Sequence, residues 1–73
     1  MSFNIPFKYR VQIVRFEEGN KIIKNRTCFL REQDADKYFN RTKELVITGE
    51  VLVLEQRERA PRPFEEVKRY EID

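Results

Sequence analysis

The pattern of hydrophobic and polar positions changes along this chain, and each change predicts a different element. Residues 7–18, FKYRVQIVRFEE, begin by alternating. One face would carry Phe7, Tyr9, Val11 and Ile13, and the other Lys8, Arg10 and Gln12. Such alternation predicts a half-buried strand of an antiparallel sheet. Val14 and Phe16 then fall on the opposite parity, which predicts either a β-bulge or a second face that is covered at this end.

A hairpin turn and a second strand are predicted next. Residues 17–20, EEGN, suit the turn, because Gly and Asn accept the positive φ that hairpin loops require. Residues 20–30, NKIIKNRTCFL, suit the strand, although both of its faces mix apolar and polar side chains. The inward set that we favour is Ile23, Thr27 and Phe29. The outward face of the hairpin would then carry four basic residues, Lys8, Arg10, Lys24 and Arg26.

The spacing of apolar residues becomes helical over residues 31–49. The residues of the stripe follow the i, i+3, i+4, i+7 pattern of an amphipathic helix and are Ala35, Tyr38, Phe39, Thr42, Leu45 and Val46. Asp34 is placed to cap the helix, and Gly49 to end it. The β-branched residues 46–48 resist a last helical turn. An alternative therefore stays open, in which residues 45–48 pair with residues 50–53 as a second hairpin.

Residues 50–59, EVLVLEQRER, predict a third strand with apolar groups on both faces. Val51, Leu52, Val53 and Leu54 are consecutive, and successive side chains of a strand point to opposite sides. A run of this kind is typical of burial on two sides. We predict that Val51 and Val53 face the helix and that Leu52 and Leu54 face away from it.

The end of the chain follows a proline-containing connection, residues 60–63, which cannot continue a strand. Residues 64–73 suit a short helix, with Phe64, Val67 and Tyr70 spaced by three, or an edge strand. Residues 1–6 are predicted to be loose. The chain is therefore predicted to be one small α+β domain of 73 residues. It would have a three- to four-stranded antiparallel sheet with one helix on one face, in the order β-β-α-β plus a C-terminal short helix or edge strand.

The amino-acid composition argues against a catalytic or metal-binding site. The chain has no histidine, one cysteine and two glycines. Histidine is the usual general base and the commonest neutral metal ligand. We therefore expect no enzyme activity, no metal site, no cofactor and no small-molecule substrate. Cys28 is expected to be a small buried hydrophobe. With no basic-then-apolar leader and no long apolar run, we expect a cytoplasmic protein that does not enter a membrane.

The hypothesis that we favour is a small protein-binding module, acting as an adaptor, inhibitor or regulator. The partner would be a larger protein or a second copy of the chain, a mode of action common among small accessory proteins such as those of phages. Leu52 and Leu54, side by side on a face away from the helix, would be an interaction patch. The candidate interaction residues are Val14, Leu52, Leu54, Phe64, Val67 and Tyr70.

The alternative hypothesis is nucleic-acid binding by the basic half of the chain. Residues 1–31 hold seven basic and two acidic side chains, whereas residues 32–73 hold eight basic and eleven acidic ones. A basic surface is the electrostatic requirement for binding phosphates. The candidate residues are Lys8, Arg10, Lys24 and Arg26.

Overall fold

A computed structural model of the protein describes residues 7–59 and 62–72. The elements in this part are β1 (Tyr9–Glu17), β2 (Asn20–Phe29), α1 (Glu32–Thr42), a 3-10 turn (Lys43–Leu45), β3 (Glu50–Gln56) and β4 (Glu65–Glu71). The predicted small α+β fold is confirmed, and the C-terminal segment is a strand. The predicted loose N-terminus, residues 1–6, and residues 60–61 of the proline connection lie outside the described residues.

The four strands form an antiparallel sheet in the order β2-β1-β3-β4. β1 and β2 are joined by a two-residue loop, Glu18-Gly19, at the centre of the predicted turn over residues 17–20, and Asn20, which was expected to accept positive φ, begins β2. Glu18 has φ 50° and Gly19 has φ 82°. Positive φ at both central positions is what a type I′ hairpin loop requires, and this turn matches the twist of the flanking strands.

The pairing of β1 with β3 determines which residues face the helix. Ile13 pairs with Leu52 and Val11 with Leu54, with no register shift along the two strands. Directly opposed residues point to the same face, so these leucines lie under α1 with Val11 and Ile13. The prediction that Leu52 and Leu54 face away from the helix is therefore wrong. Val51 and Val53 are the residues on the other face.

The core lies between α1 and this face of the sheet. Its buried members are Val11, Ile13, Ala35, Phe39, Val46, Leu52 and Leu54, with Tyr9, Phe29, Tyr38 and Tyr70 packed around them. The predicted helical stripe is thus confirmed for Ala35, Phe39 and Val46. Leu45 is 62% exposed. It misses the core because α1 ends at Thr42 and the following 3-10 turn no longer keeps the α-helical period.

Both ends of the helix differ from the prediction. Arg31 occupies the N-cap position without a side-chain hydrogen bond, so Asp34 lies inside the first turn and does not cap it. Residues 46–49 form neither a last helical turn nor a strand. They make a turn in which the Glu50 amide donates to the Ile47 carbonyl at 3.0 Å, and Gly49 has φ 95°.

A bulge in β2 changes the direction of its side chains. Ile13 pairs with Asn25 and Val14 with Ile23, which leaves Lys24 as the extra residue. Asn25, Thr27 and Phe29 lie on the helix side, where Tyr38 contacts all three. Ile23 lies on the other side, so its predicted inward position is wrong. A bulge shifts the alternation by one residue, and the apolar pattern of this strand was too mixed to reveal the shift.

Candidate interaction face

The sheet face opposite α1 is called the rear face, and the strand registers place its side chains in three rows. The first row is Ile23, Val14, Val51 and Glu71; the second is Arg26, Gln12, Val53 and Arg69; the third is Cys28, Arg10, Glu55 and Glu66. Phe16 and Lys21 extend the face at the hairpin end. Each row crosses the strands in the order β2, β1, β3, β4.

The hairpin end of the rear face is apolar and partly exposed. Val14 is only 2% exposed, and Val53 is also buried. Phe16 is 62% exposed and Ile23 is 41% exposed. A shallow groove of about 90 Å³ crosses this face, and its lining includes Phe16, Val51 and Arg69. Within residues 7–59 and 62–72, no helix or strand packs on this face. Phe16 and Ile23 are therefore the exposed part of an apolar cluster whose buried members include Val14 and Val53.

The other end of the rear face is polar, and its carboxylates are paired with arginines. Arg10 Nε lies 2.8 Å from Glu55 Oε1. Arg69 binds both oxygens of Glu66, at 2.9 and 3.0 Å. This pair exists on one face because Val67 is an extra residue at a bulge in β4, whereas residues i and i+3 of a regular strand point to opposite faces. The hydrogen bond from Arg69 lowers the pKa of Glu66 and, reciprocally, raises the pKa of Arg69.

Two cations at the β2 edge have no acidic counterpart among residues 7–59 and 62–72. Arg26 Nε donates to the neutral Gln12 Oε1 at 3.0 Å. In the described residues, no carboxylate lies within ion-pair distance of Lys21 or Arg26. Glu71, at the opposite edge of the face, is likewise without an ion pair there. The rear face therefore has positive charge beside its exposed apolar residues and a smaller negative charge at the far edge.

The six predicted interaction residues do not form one surface. Leu52 and Leu54 are in the core, and Tyr70 packs against that core from β4. Val14 is on the rear face but buried, and Val67 is half exposed at the β4 bulge. Phe64 lies between the guanidinium groups of Arg10 and Arg57, each 4.3 Å from the centre of its ring. The predicted patch built on Leu52 and Leu54 does not exist.

The four predicted basic residues are also separated. Arg10 and Arg26 lie on the rear face, and Lys8 is exposed just before β1. Lys24, the bulge residue of β2, binds Glu50 on the helix side. The residues that sequence reasoning missed are Phe16, Ile23, Val51 and Val53. The slip in alternation at Val14 and Phe16 was a signal of an apolar second face, but it did not identify the residues that share this face.

Glu50 is a buried carboxylate at the start of β3 that forms an ion pair with Lys24 of β2. Its side chain accepts a hydrogen bond from the Ile47 amide at 3.1 Å and lies 2.9 Å from Lys24 Nζ. The hydrogen bond from Lys24 lowers the pKa of Glu50 below its ordinary value of 4.5, against the opposing effect of burial. As the pH falls, Glu50 is therefore protonated at a higher pH in the unfolded chain than in the folded protein. The stabilisation is complete well above pH 4.5 and is lost as the pH drops through the folded pKa.

Replacing Lys24 with methionine is expected to destabilise the protein by roughly 1–3 kcal/mol at pH 7, because a buried carboxylate loses a partner. The loss should shrink at pH 3.5, below the ordinary pKa of 4.5, because Glu50 takes up a proton more readily once the Lys24 hydrogen bond that lowers its pKa is absent. Urea unfolding at both pH values measures this difference. Lys37→Met, on the exposed side of α1, is the control. An equal loss at both pH values would show that the stem of Lys24, and not its charge, is what matters.

The described residues contain no group of three or more His, Cys, Asp or Glu side chains arranged to hold a metal ion. Cys28 is a half-buried free thiol in the third row of the rear face. None of the helices formed by residues 7–59 and 62–72 has the length and apolar character needed to cross a membrane. Comparisons with protein-family models, curated protein sequences and solved structures found no match.

Proposed function

We propose that the chain is a small non-enzymatic protein-binding module, an adaptor, inhibitor or regulator, that docks on a partner protein through the rear face. The observation that carries the proposal is the pair Phe16 and Ile23, which are exposed directly beside buried apolar residues of the same face. Single exposed apolar side chains are ordinary on protein surfaces, but a contiguous apolar patch indicates an interaction site.

Other exposed apolar residues support the choice of this face by contrast. Leu30, Leu45 and Ile47 lie in the connections before and after α1. None of these three residues is part of the sheet. The rear face is broad and belongs to the sheet, whose strands are held by backbone hydrogen bonds. A partner would therefore meet a rigid surface, and rigid surfaces lose little conformational entropy on binding.

Nucleic-acid binding has weaker support. Of the predicted basic residues, Lys24 is paired with Glu50 and Arg10 with Glu55. Three carboxylates, Glu55, Glu66 and Glu71, lie on the same face as Arg26. Among the described residues, only Lys21 and Arg26 on this face are cations without an ion pair, whereas a phosphate backbone is bound by several such cations.

The test compares two variants that each replace two exposed apolar residues with Ser and Thr. Phe16→Ser with Ile23→Thr removes the exposed apolar residues of the rear face, and Leu30→Ser with Leu45→Thr removes two exposed apolar residues elsewhere. Each tagged protein is cross-linked in the cells that produce it, and the cross-linked peptides are identified by mass spectrometry. We expect partner cross-links at the rear face that persist in the control variant and disappear in the rear-face variant. Partners retained by a folded rear-face variant would refute the proposal.

A further inference from the structure

We propose that the rear face binds a protein segment that is both apolar and acidic, with its apolar side chains on Phe16 and Ile23 and its carboxylates over the β2 edge. This inference rests on the proposed function and adds the chemistry of the partner. Three features of the rear face carry it: the position of its exposed apolar groups, the distribution of its unpaired charge, and the pairing of its own carboxylates.

The exposed apolar residues and the unpaired cations are direct neighbours. Lys21 lies opposite Phe16 across the β1–β2 pair, and Ile23 lies between Lys21 and Arg26 along β2. Opposed residues on neighbouring strands have Cβ atoms about 5 Å apart. An apolar group of a ligand seated on Phe16 or Ile23 therefore brings its neighbouring residues within reach of an ammonium or guanidinium group.

The charge balance selects acidic neighbours. Glu55 and Glu66 are already bound by Arg10 and Arg69, so they attract a cationic ligand only weakly. Lys21 and Arg26 have no such neutralising partner in the described part of the chain. A ligand carboxylate would gain a charge-assisted hydrogen bond at either position. A ligand cation would gain no equivalent contact at the β2 edge, where the apolar patch lies.

A second copy of the chain fits this surface less well. Among the described residues, each rear face presents two cations without an ion pair, Lys21 and Arg26, and one such carboxylate, Glu71. Two rear faces together would therefore hold four such cations and two such carboxylates. Face-to-face association would leave unmatched positive charge in the interface. Such charge is unfavourable when it is removed from water.

The experiment selects random peptides of about 12 residues, displayed on phage, against the immobilised wild-type protein. Selected sequences are made as fluorescent synthetic peptides, and their dissociation constants are measured by anisotropy at physiological salt. We expect the selected peptides to combine aliphatic or aromatic residues with an excess of Asp and Glu. Charge reversal by Lys21→Glu with Arg26→Glu should weaken binding by about tenfold or more. Lys37→Glu with Arg41→Glu, on the exposed side of α1, is the matched control and should not weaken it.

Each alternative outcome rejects a specific statement. Peptides that need Phe16 and Ile23 but show no acidic excess, and that ignore the charge reversal, would overturn this inference while the proposed function stands. Binding that survives Phe16→Ser with Ile23→Thr in a folded protein would overturn both. Tighter binding of a single-stranded RNA or DNA of similar length would favour nucleic acid instead. A doubled mass in solution that this double variant abolishes would favour a second copy.

Discussion

Replacing Phe39 with alanine is expected to leave the chain largely unfolded at room temperature. Phe39 is 2% exposed and packs at the centre of the core between α1 and the sheet. Truncation of a buried phenylalanine to alanine costs about 3–5 kcal/mol, through lost burial and the cavity that remains. A domain of this size has a total stability of roughly the same magnitude. Circular dichroism and urea unfolding of the variant measure the outcome.

The matched control for this prediction is Leu45→Ala, near the end of the same helical region. Leu45 is exposed, so its truncation should change the free energy of unfolding by no more than about 0.5 kcal/mol. A cooperative, native-like unfolding transition for Phe39→Ala would show that the helix does not pack on the sheet as described. A large effect of Leu45→Ala would instead indicate that the helix continues beyond Thr42.

The second large effect is expected from a charge placed under the helix. Leu52 is fully buried among Val11, Ile13 and Phe39. Lysine at this position would bring an ammonium group into an apolar core, with a cost of several kcal/mol or the loss of the native packing. We expect Leu52→Lys to be unfolded in buffer, with no cooperative thermal transition.

The comparison variant is Phe16→Lys, which also places a lysine on a strand but on the exposed end of the rear face. It should fold and melt close to the wild type, because Phe16 is mostly exposed. The two variants together test which side of the sheet is covered. A stable Leu52→Lys with an unfolded Phe16→Lys would reverse the assignment of the two faces.

Several features of the fold follow directly from local physical chemistry. The alternation of Tyr9, Val11 and Ile13 predicted both the strand and its buried face, because the period of a strand is two. The position of the hairpin turn was predictable from Gly19, because few residues accept positive φ, but the second residue with positive φ is Glu18 and not the expected Asn20. The Phe39 stripe predicted the helix face, since an amphipathic helix must bury its apolar side. These are signals contained within a few neighbouring residues.

The side of the sheet on which each residue of β3 lies was not predictable in the same way. Val51 to Leu54 are apolar at both parities, so the pattern is equally consistent with either orientation. The register with β1 determines the orientation, and a one-residue slip would reverse all of the side chains. That register depends on pairing between residues about 40 positions apart, and it has no local signature.

The candidate interaction face was missed for a related reason. Its exposed residues Phe16 and Ile23 come from two strands, and a bulge at Lys24 places Ile23 on this side. The bulge residue, Lys24, contacts the buried Glu50. A sequence pattern taken one strand at a time reveals neither the bulge nor the contact between Lys24 and Glu50. Val14 and Phe16 indicated that β1 has an apolar second face. The other residues of that face could be identified only once the order of the strands was known.

The strand order also has a consequence for the route by which the chain folds. β1 pairs with β2 through a two-residue turn, whereas its pairing with β3 joins residues as far apart as Tyr9 and Gln56. Hairpins form in about 1–10 μs, and distant pairings must first overcome the entropy of closing a long loop. We therefore expect β1 to pair with β2 early and with β3 later. During synthesis, the N-terminal hairpin emerges with one side of β1 unsatisfied until β3 has left the ribosome. The rate-limiting event should be the docking of β3 beside β1, with α1 closing over both.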